Sequence, residues 1–180
     1  AKTVWQEFGP AKFRRSLRLG AAVDPSALRS LETTPNNLPQ QATRFVGRDK
    51  ELGELKGLLA GTRLLTLTGA GGCGKTRLGL QLAADSLERF PDGAWLVELA
   101  PLSDPGLVPR TTAMVLGLEE QPGKAITATL VEHLKEKRLL MVIDNCEHLL
   151  HACAVLSDFL LRRCPHLTIL ASSREALGIG

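Results

Sequence analysis

The chain has 180 residues, 44% of them apolar and 23% charged, with a formal net charge of +3. That length fits one domain with an appendage, and the apolar share is ordinary for a water-soluble globular fold. Apolar runs are short, LLMVI at 139–143 being typical, which excludes the roughly 20 apolar residues of a membrane-spanning helix.

No secretory pattern opens the sequence, so a cytoplasmic protein with no membrane partner is expected. Cys73, Cys146, Cys153 and Cys164 form no CxxC pair and are expected to be small buried hydrophobes in a reducing compartment. Cys146, His148, His151 and Cys153 fall close together, yet their spacing matches no standard zinc site and a helix would spread them over different faces. The charge is uneven. Residues 1–20 hold Lys2, Lys12, Arg14, Arg15 and Arg18 against Glu7 alone, and the rest of the chain is close to neutral. Direct nucleic-acid contact is therefore not expected from residues 41–180. The first methionine is Met114, and the chain is expected to be a piece of a longer protein.

Residues 1–40 show weak periodicity and end in TTPNNLPQQ, which reads as a linker following the basic segment of a preceding domain. Leu52, Leu55 and Leu59 then recur at helical spacing, with Gly61 as a stop. LLTLT (64–68) is a short β-rich run, and Leu78, Leu82, Ala83 and Leu87 make a helix face that ends before Pro91. AWLVEL (94–99) reads as a strand, Asp104-Pro105 as a helix start and Gly117 as its stop. A helix is expected over 127–137 with Leu130 and Leu134 buried. LLMVI reads as a strand apolar on both faces, as a parallel strand covered by helices must be. Leu149, Cys153, Leu156 and Leu160 continue at helical spacing, and LTILA (167–171) is the last strand. Strands alternating with helices predict an α/β domain over 41–180 with a parallel sheet and right-handed crossovers.

Between LLTLT and the helix that follows it lies Gly69-Ala70-Gly71-Gly72-Cys73-Gly74-Lys75-Thr76, which fits the phosphate-binding pattern G-x-x-x-x-G-K-[ST]. A loop that wraps a phosphate turns successive N–H groups inward, in dihedrals that suit glycine. The helix that follows adds its free amides and positive dipole end. In this pattern Lys75 reaches the β- and γ-phosphates and the Thr76 hydroxyl ligates Mg²⁺. Asp144 lies at the carboxyl end of LLMVI, where ligands of parallel sheets gather, and a carboxylate there holds the same ion. In SSR (172–174), Arg174 is placed to meet a γ-phosphate; as a lone arginine after a strand it reads equally well as a surface residue.

With FVGRDKEL (45–52) ahead of these pieces, the chain resembles the STAND class of P-loop NTPases, and within it the NB-ARC-like ATPase modules of large bacterial regulators. FVGRDKEL is similar to their VGR motif, TLTGAGGCGKTRLGLQLA to their Walker A, LLMVIDNCEHLL to their Walker B and LTILASSREAL to their sensor-1 strand. The resemblance implies a three-layer αβα sandwich, cut before its last strand and its lid and winged-helix domains. It implies Val46, Gly47 and Arg48 near adenine and ribose, and Gly69, Gly71, Gly72, Cys73, Gly74, Lys75, Thr76 and Arg77 around the phosphates of ATP or ADP. It places Thr76 and Asp144 at Mg²⁺ and Arg174 at the γ-phosphate, with Lys75, Asp144, Asn145 and Arg174 as the catalytic set. Fused helix-turn-helix, cyclase or helical-repeat domains are the implied partners.

One departure from the family pattern bears on rate. Many P-loop ATPases carry a second acid after the Walker B aspartate, and here that position is Asn145, which orients water but takes no proton. Glu147 is a candidate substitute; as an acid in the first turn of a helix it also has a structural reading. The expected function is an ATP/ADP switch with slow hydrolysis, with a non-catalytic interaction module or a small-molecule kinase as alternatives.

Overall fold

The computed structural model describes residues 3–8 as backbone and residues 33–39 and 47–179 in full. Among the described residues, five parallel strands form one sheet: β1 (Thr3–Phe8), β2 (Leu64–Gly69), β3 (Ala94–Glu98), β4 (Leu140–Asp144) and β5 (Thr168–Ser173), in the order β1-β2-β5-β4-β3. The helices are α1 (Asp49–Gly61), α2 (Lys75–Ala84), α3 (Val108–Val115), α4 (Ile126–Leu134) and α5 (Leu150–Arg163).

Alternation along the strands splits the core in two. Leu65, Leu67, Leu96, Leu140, Val142 and Leu170 pack with Leu55 and Leu59 of α1 and Leu78 and Leu82 of α2. On the other face, Val97, Met141, Ile143 and Ile169 pack with Ala113 of α3, Leu130 and Leu134 of α4, and Leu156 and Leu160 of α5. Strands β2, β4 and β5 are buried along almost their whole length, as strands covered on both faces must be. This is the expected αβα sandwich. At Gly79, helix α2 packs on the sheet with room for ordinary van der Waals contact. A Cβ there would stand 3.4 Å from Leu67 Cδ1 and 3.8 Å from Leu170 Cδ2.

Element ends differ in small ways from the sequence reading. Asp144 is the last residue of β4, and β5 runs on through Ser172 and Ser173. Helix α4 stops at Leu134. Asp104 accepts a hydrogen bond from the Gly106 N–H at 2.8 Å and starts a 3₁₀ turn that leads into α3.

Two segments took part in the sheet that sequence reasoning left without structure. Thr3–Phe8 pairs with β2 in parallel, from Thr3 opposite Leu64 to Phe8 opposite Gly69. Residues 33–39, the described part of the TTPNNLPQQ stretch expected as a linker, lie along the outer edge of β3. Ala94 N–H donates to the Pro35 carbonyl (3.2 Å), and Asn36 forms a parallel bridge with Ala94. Asn37 then imitates a strand residue with its amide: Oδ1 accepts from Leu96 N–H at 2.6 Å, and Nδ2 donates to Leu96 O at 2.9 Å. An edge strand's open N–H and C=O groups are thus satisfied by a side chain. Gly93 makes the approach possible. Its φ is +105°, and a Cβ would fall 2.2 Å from Pro35 O.

Candidate functional site

All the chemistry-bearing motifs of residues 47–179 meet at the carboxyl end of the sheet. The phosphate loop leaves β2 at Gly69 and enters α2 at Lys75. Gly72 and Gly74 hold φ of +75° and +86°, the left-handed region that glycine enters without a Cβ penalty. Gly74 is the N-cap of α2, with no side-chain capping bond, and the first turn carries no acid. The positive end of α2 is thereby left to an external anion.

Lys75 is 8% exposed. Its ammonium folds back to donate to the carbonyls of Gly69 (2.8 Å) and Ala70 (3.0 Å), spanning the loop from inside. Arg48 fastens the loop from the other side: Nη2 donates to Cys73 O at 2.9 Å, while Nη1 is buried without a partner. The resemblance assigned Arg48 to adenine and ribose; in this structure its guanidinium rests on the phosphate loop. Gly47 beside it is exposed, Arg77 is exposed in the first turn of α2, and Val46 lies outside the described residues.

Asp144 is the hub opposite the loop. The Thr76 hydroxyl donates to its two carboxylate oxygens at 2.8 and 3.1 Å. The Ser172 hydroxyl donates to the same carboxylate and accepts from Asn145 N–H at 3.1 Å. Within SSR the sequence pattern marks Arg174 and gives Ser172 no role. Its position follows from strand register: Ile143 lies opposite Ala171, so the next residues, Asp144 and Ser172, emerge together at the sheet end.

Asn145 has φ +66° and ψ +49°, a conformation asparagine tolerates better than other side-chain-bearing residues. Its Nδ2 lies 3.5 Å from His148 Nδ1. Asn145 leads into a 3₁₀ turn, Cys146–His148, that is firmly anchored. Cys146 is fully buried with Sγ 3.5 Å from Ile143 O, and His148 Nε2 lies 2.7 Å from Leu102 O. Hydrogen bonding with Cys153, with burial, pushes the Cys146 pKa up, so it packs as a neutral thiol. Cys146, Cys153 and Cys164 are buried and Cys73 half-buried, all four free. His148 and His151 are exposed, and among the described residues no three His, Cys, Asp or Glu side chains gather as a metal site.

Arg174 crosses from β5 toward the loop. A Cβ on Gly71 would meet its Nη2 at 3.5 Å, and its Nε lies 3.4 Å from Glu147 Oε1. The other oxygen of Glu147, Oε2, is buried without a partner. A loop with a helix N-terminus, a buried lysine, and a hydroxyl touching a carboxylate together make a cradle for a polyphosphate.

Comparison with known proteins decides the family. The family model described as Novel STAND NTPase 1 matches residues 37–174. The chain belongs to this family of STAND NTPases. An uncharacterized protein of Mycobacterium tuberculosis is 43% identical over 155 residues, covering 86% of this chain and 39% of that protein. A second protein of the same organism, described provisionally as an HTH-type transcriptional regulator, is 50% identical over 125 residues, covering 69% of this chain and 14% of that protein. The STAND NTPase domain thus spans well under half the length of these relatives. Among solved structures, Cdc6p from Pyrobaculum aerophilum superposes with a TM-score of 0.55 at 20% identity, over 85% of this chain and 43% of that one. At that identity the likeness is one of fold. Among the described residues, no helix is long and apolar enough to cross a membrane.

Proposed function

We propose that this STAND NTPase domain is a cytoplasmic ATP/ADP switch with slow Mg²⁺-dependent hydrolysis, and that it relays its nucleotide state to fused domains outside residues 1–180. The observation that carries the reading is the contact of Thr76 and Asp144 directly below the Lys75 loop, at the carboxyl end of a parallel sheet. Relatives much longer than this chain, one of them described as a regulator, support the relay to other domains.

The residues present fit a magnesium ion. Thr76 Oγ1 and the Asp144 carboxylate are hard oxygen donors already within 2.8 Å of each other, and Mg²⁺ in nucleotide sites takes one or two such donors along with phosphate oxygens and water. Bound there, the ion would neutralise charge on the β- and γ-phosphates. The chain's own part is positional. Lys75 exchanges its two carbonyl bonds for phosphate oxygens, α2 supplies amides, and Arg174 reaches the terminal phosphate that distinguishes ATP from ADP. A switch requires such a difference, because a ligand shifts an equilibrium only by its differential affinity for the two states.

Asn145 supports slow rather than fast turnover, since an amide cannot accept the water's proton. Thermal unfolding with and without Mg-ATP tests the proposal. Nucleotide at about a hundred times its Kd adds about 2.7 kcal/mol of stability, several degrees for a domain of this size. No shift with ATP or ADP, with or without Mg²⁺, refutes it.

A further inference from the structure

We propose that Glu147 is the residue that takes the proton of the attacking water, and that its ion pair with Arg174 is a latch opened by the terminal phosphate. The inference rests on the nucleotide-switch reading and goes beyond it, since Asn145 leaves the usual acid position without a base.

Two carboxylates belong to the network around the loop. Asp144 is engaged: both of its oxygens accept from Thr76, and Ser172 donates to it as well. Glu147 is half open. Oε1 faces Arg174 Nε at 3.4 Å, and Oε2 is buried with no hydrogen-bond partner. A buried carboxylate oxygen left unpaired is costly, and such atoms point to a missing donor. No water reaches Oε2 in this closed arrangement; once Arg174 moves aside, a water in line with a phosphate is a donor of the right kind. The turn that carries Glu147 is held at both sides by buried Cys146 and by His148 on Leu102 O, so the backbone under the carboxylate stays fixed when the latch opens.

Arg174 supplies the switch. Its guanidinium lies between Glu147 and the phosphate loop, with Nη2 against Gly71. Its side chain is 66% exposed, and an ion pair with so exposed a partner is weak. A phosphate with fork-like acceptors outcompetes it. As Arg174 moves to the γ-phosphate, Glu147 is released to accept. The water oxygen then bonds to the γ-phosphorus while the β–γ bridging P–O bond breaks, its electron pair staying with ADP. The water's proton goes to the Glu147 carboxylate and on to solvent. ADP has no γ-phosphate to draw Arg174, so the latch closes again after phosphate leaves.

Glu98 is the rival carboxylate. It lies opposite Asp144 in register at the end of β3 and is exposed, but none of the hydrogen bonds or ion pairs described above ties it to the loop. The test compares Glu147→Gln, Arg174→Ala and Glu98→Gln with the unaltered chain, by titration with ATP and ADP and by turnover. Glu147→Gln keeps ADP affinity, which reports a folded site, gains about twofold to fivefold in ATP affinity as Arg174 is freed, and loses turnover about a hundredfold or more. Arg174→Ala loses the preference for ATP over ADP. Glu98→Gln behaves as the unaltered chain. Unchanged turnover or unchanged ATP affinity in Glu147→Gln overturns the proposal, as does loss of turnover in Glu98→Gln instead. A parent chain that binds ATP tightly and never hydrolyses it also overturns it, whereas a parent chain that binds neither nucleotide overturns the switch reading itself.

Discussion

The two ends of the sheet treat their polar groups in opposite ways. At the amino end, Arg63 donates from Nη1 to the carbonyls of Leu161 (2.8 Å) and Cys164 (3.1 Å), closing the last turn of α5. Thr62 Oγ1 donates to Leu64 O at 2.9 Å and accepts from Leu64 N–H. Arg63 and Thr62 thus find their partners within the protein. At the carboxyl end, Arg48 Nη1 and Glu147 Oε2 are buried and unpaired, and Lys75 occupies carbonyls that a phosphate would release. The other buried side-chain atoms without a partner among the described residues are the hydroxyls of Thr66, Thr129 and Ser157; the charged ones both lie at the carboxyl end, and a buried charge without a partner is far costlier than a hydroxyl. The same kinds of residue, arginine and threonine, bond to nearby backbone at one end and gather round the glycine loop and Asp144 at the other.

Substitutions can break that contrast, the largest effect being expected at the loop. Lys75→Ala removes the charged donor that spans it and should cost about 3 kcal/mol of ATP affinity, roughly a hundredfold, with little change in the unfolding of the free protein. Titration calorimetry reads it directly; an equal loss of unliganded stability would make Lys75 a structural residue. Arg63→Ala is the mirror image. It leaves carbonyls at the end of α5 without their donor and should lower unfolding stability by about 1–3 kcal/mol, with nucleotide affinity intact. Asn37→Ala unpairs both backbone groups of Leu96 at the sheet edge and is expected to cost about 1–2 kcal/mol in denaturant unfolding. The smallest effect is at Asn145. Ala there keeps a left-handed backbone with a side chain less suited to it, for a loss of about 1 kcal/mol or less. If Asn145→Ala cost more than Arg63→Ala, the division between the two ends would be wrong.

Much of this arrangement is legible in the sequence because its physical signals are local. LLMVI and LTILA are apolar on both faces, so they announce buried parallel strands, and the glycine loop announces itself between a strand and a helix. What is not legible depends on sheet order. Ser172 reaches Asp144 only because β4 and β5 are neighbours in a particular register, and nothing within SSR says so. Arg48 is drawn to the Cys73 carbonyl by the way α1 sits beside the loop. Thr3–Phe8 is too short for its alternation to stand out, and its pairing with β2 is made across some sixty residues of sequence. The Pro/Asn stretch reads as punctuation because those residues favour turns. In the fold, the Asn37 amide serves as a piece of strand. Glu147 stood in view as a helix-start acid, and only its unpaired buried oxygen separates it from that role.

The most direct test of the central claim is the nucleotide content of the purified protein, measured by acid release and chromatography and followed by titration with Mg-ATP. The account predicts ATP or ADP bound in the unaltered chain, or saturable binding after it is stripped, and in Lys75→Ala no copurified nucleotide and an affinity roughly a hundredfold weaker. Equal binding by the two proteins, or none by either, would contradict it.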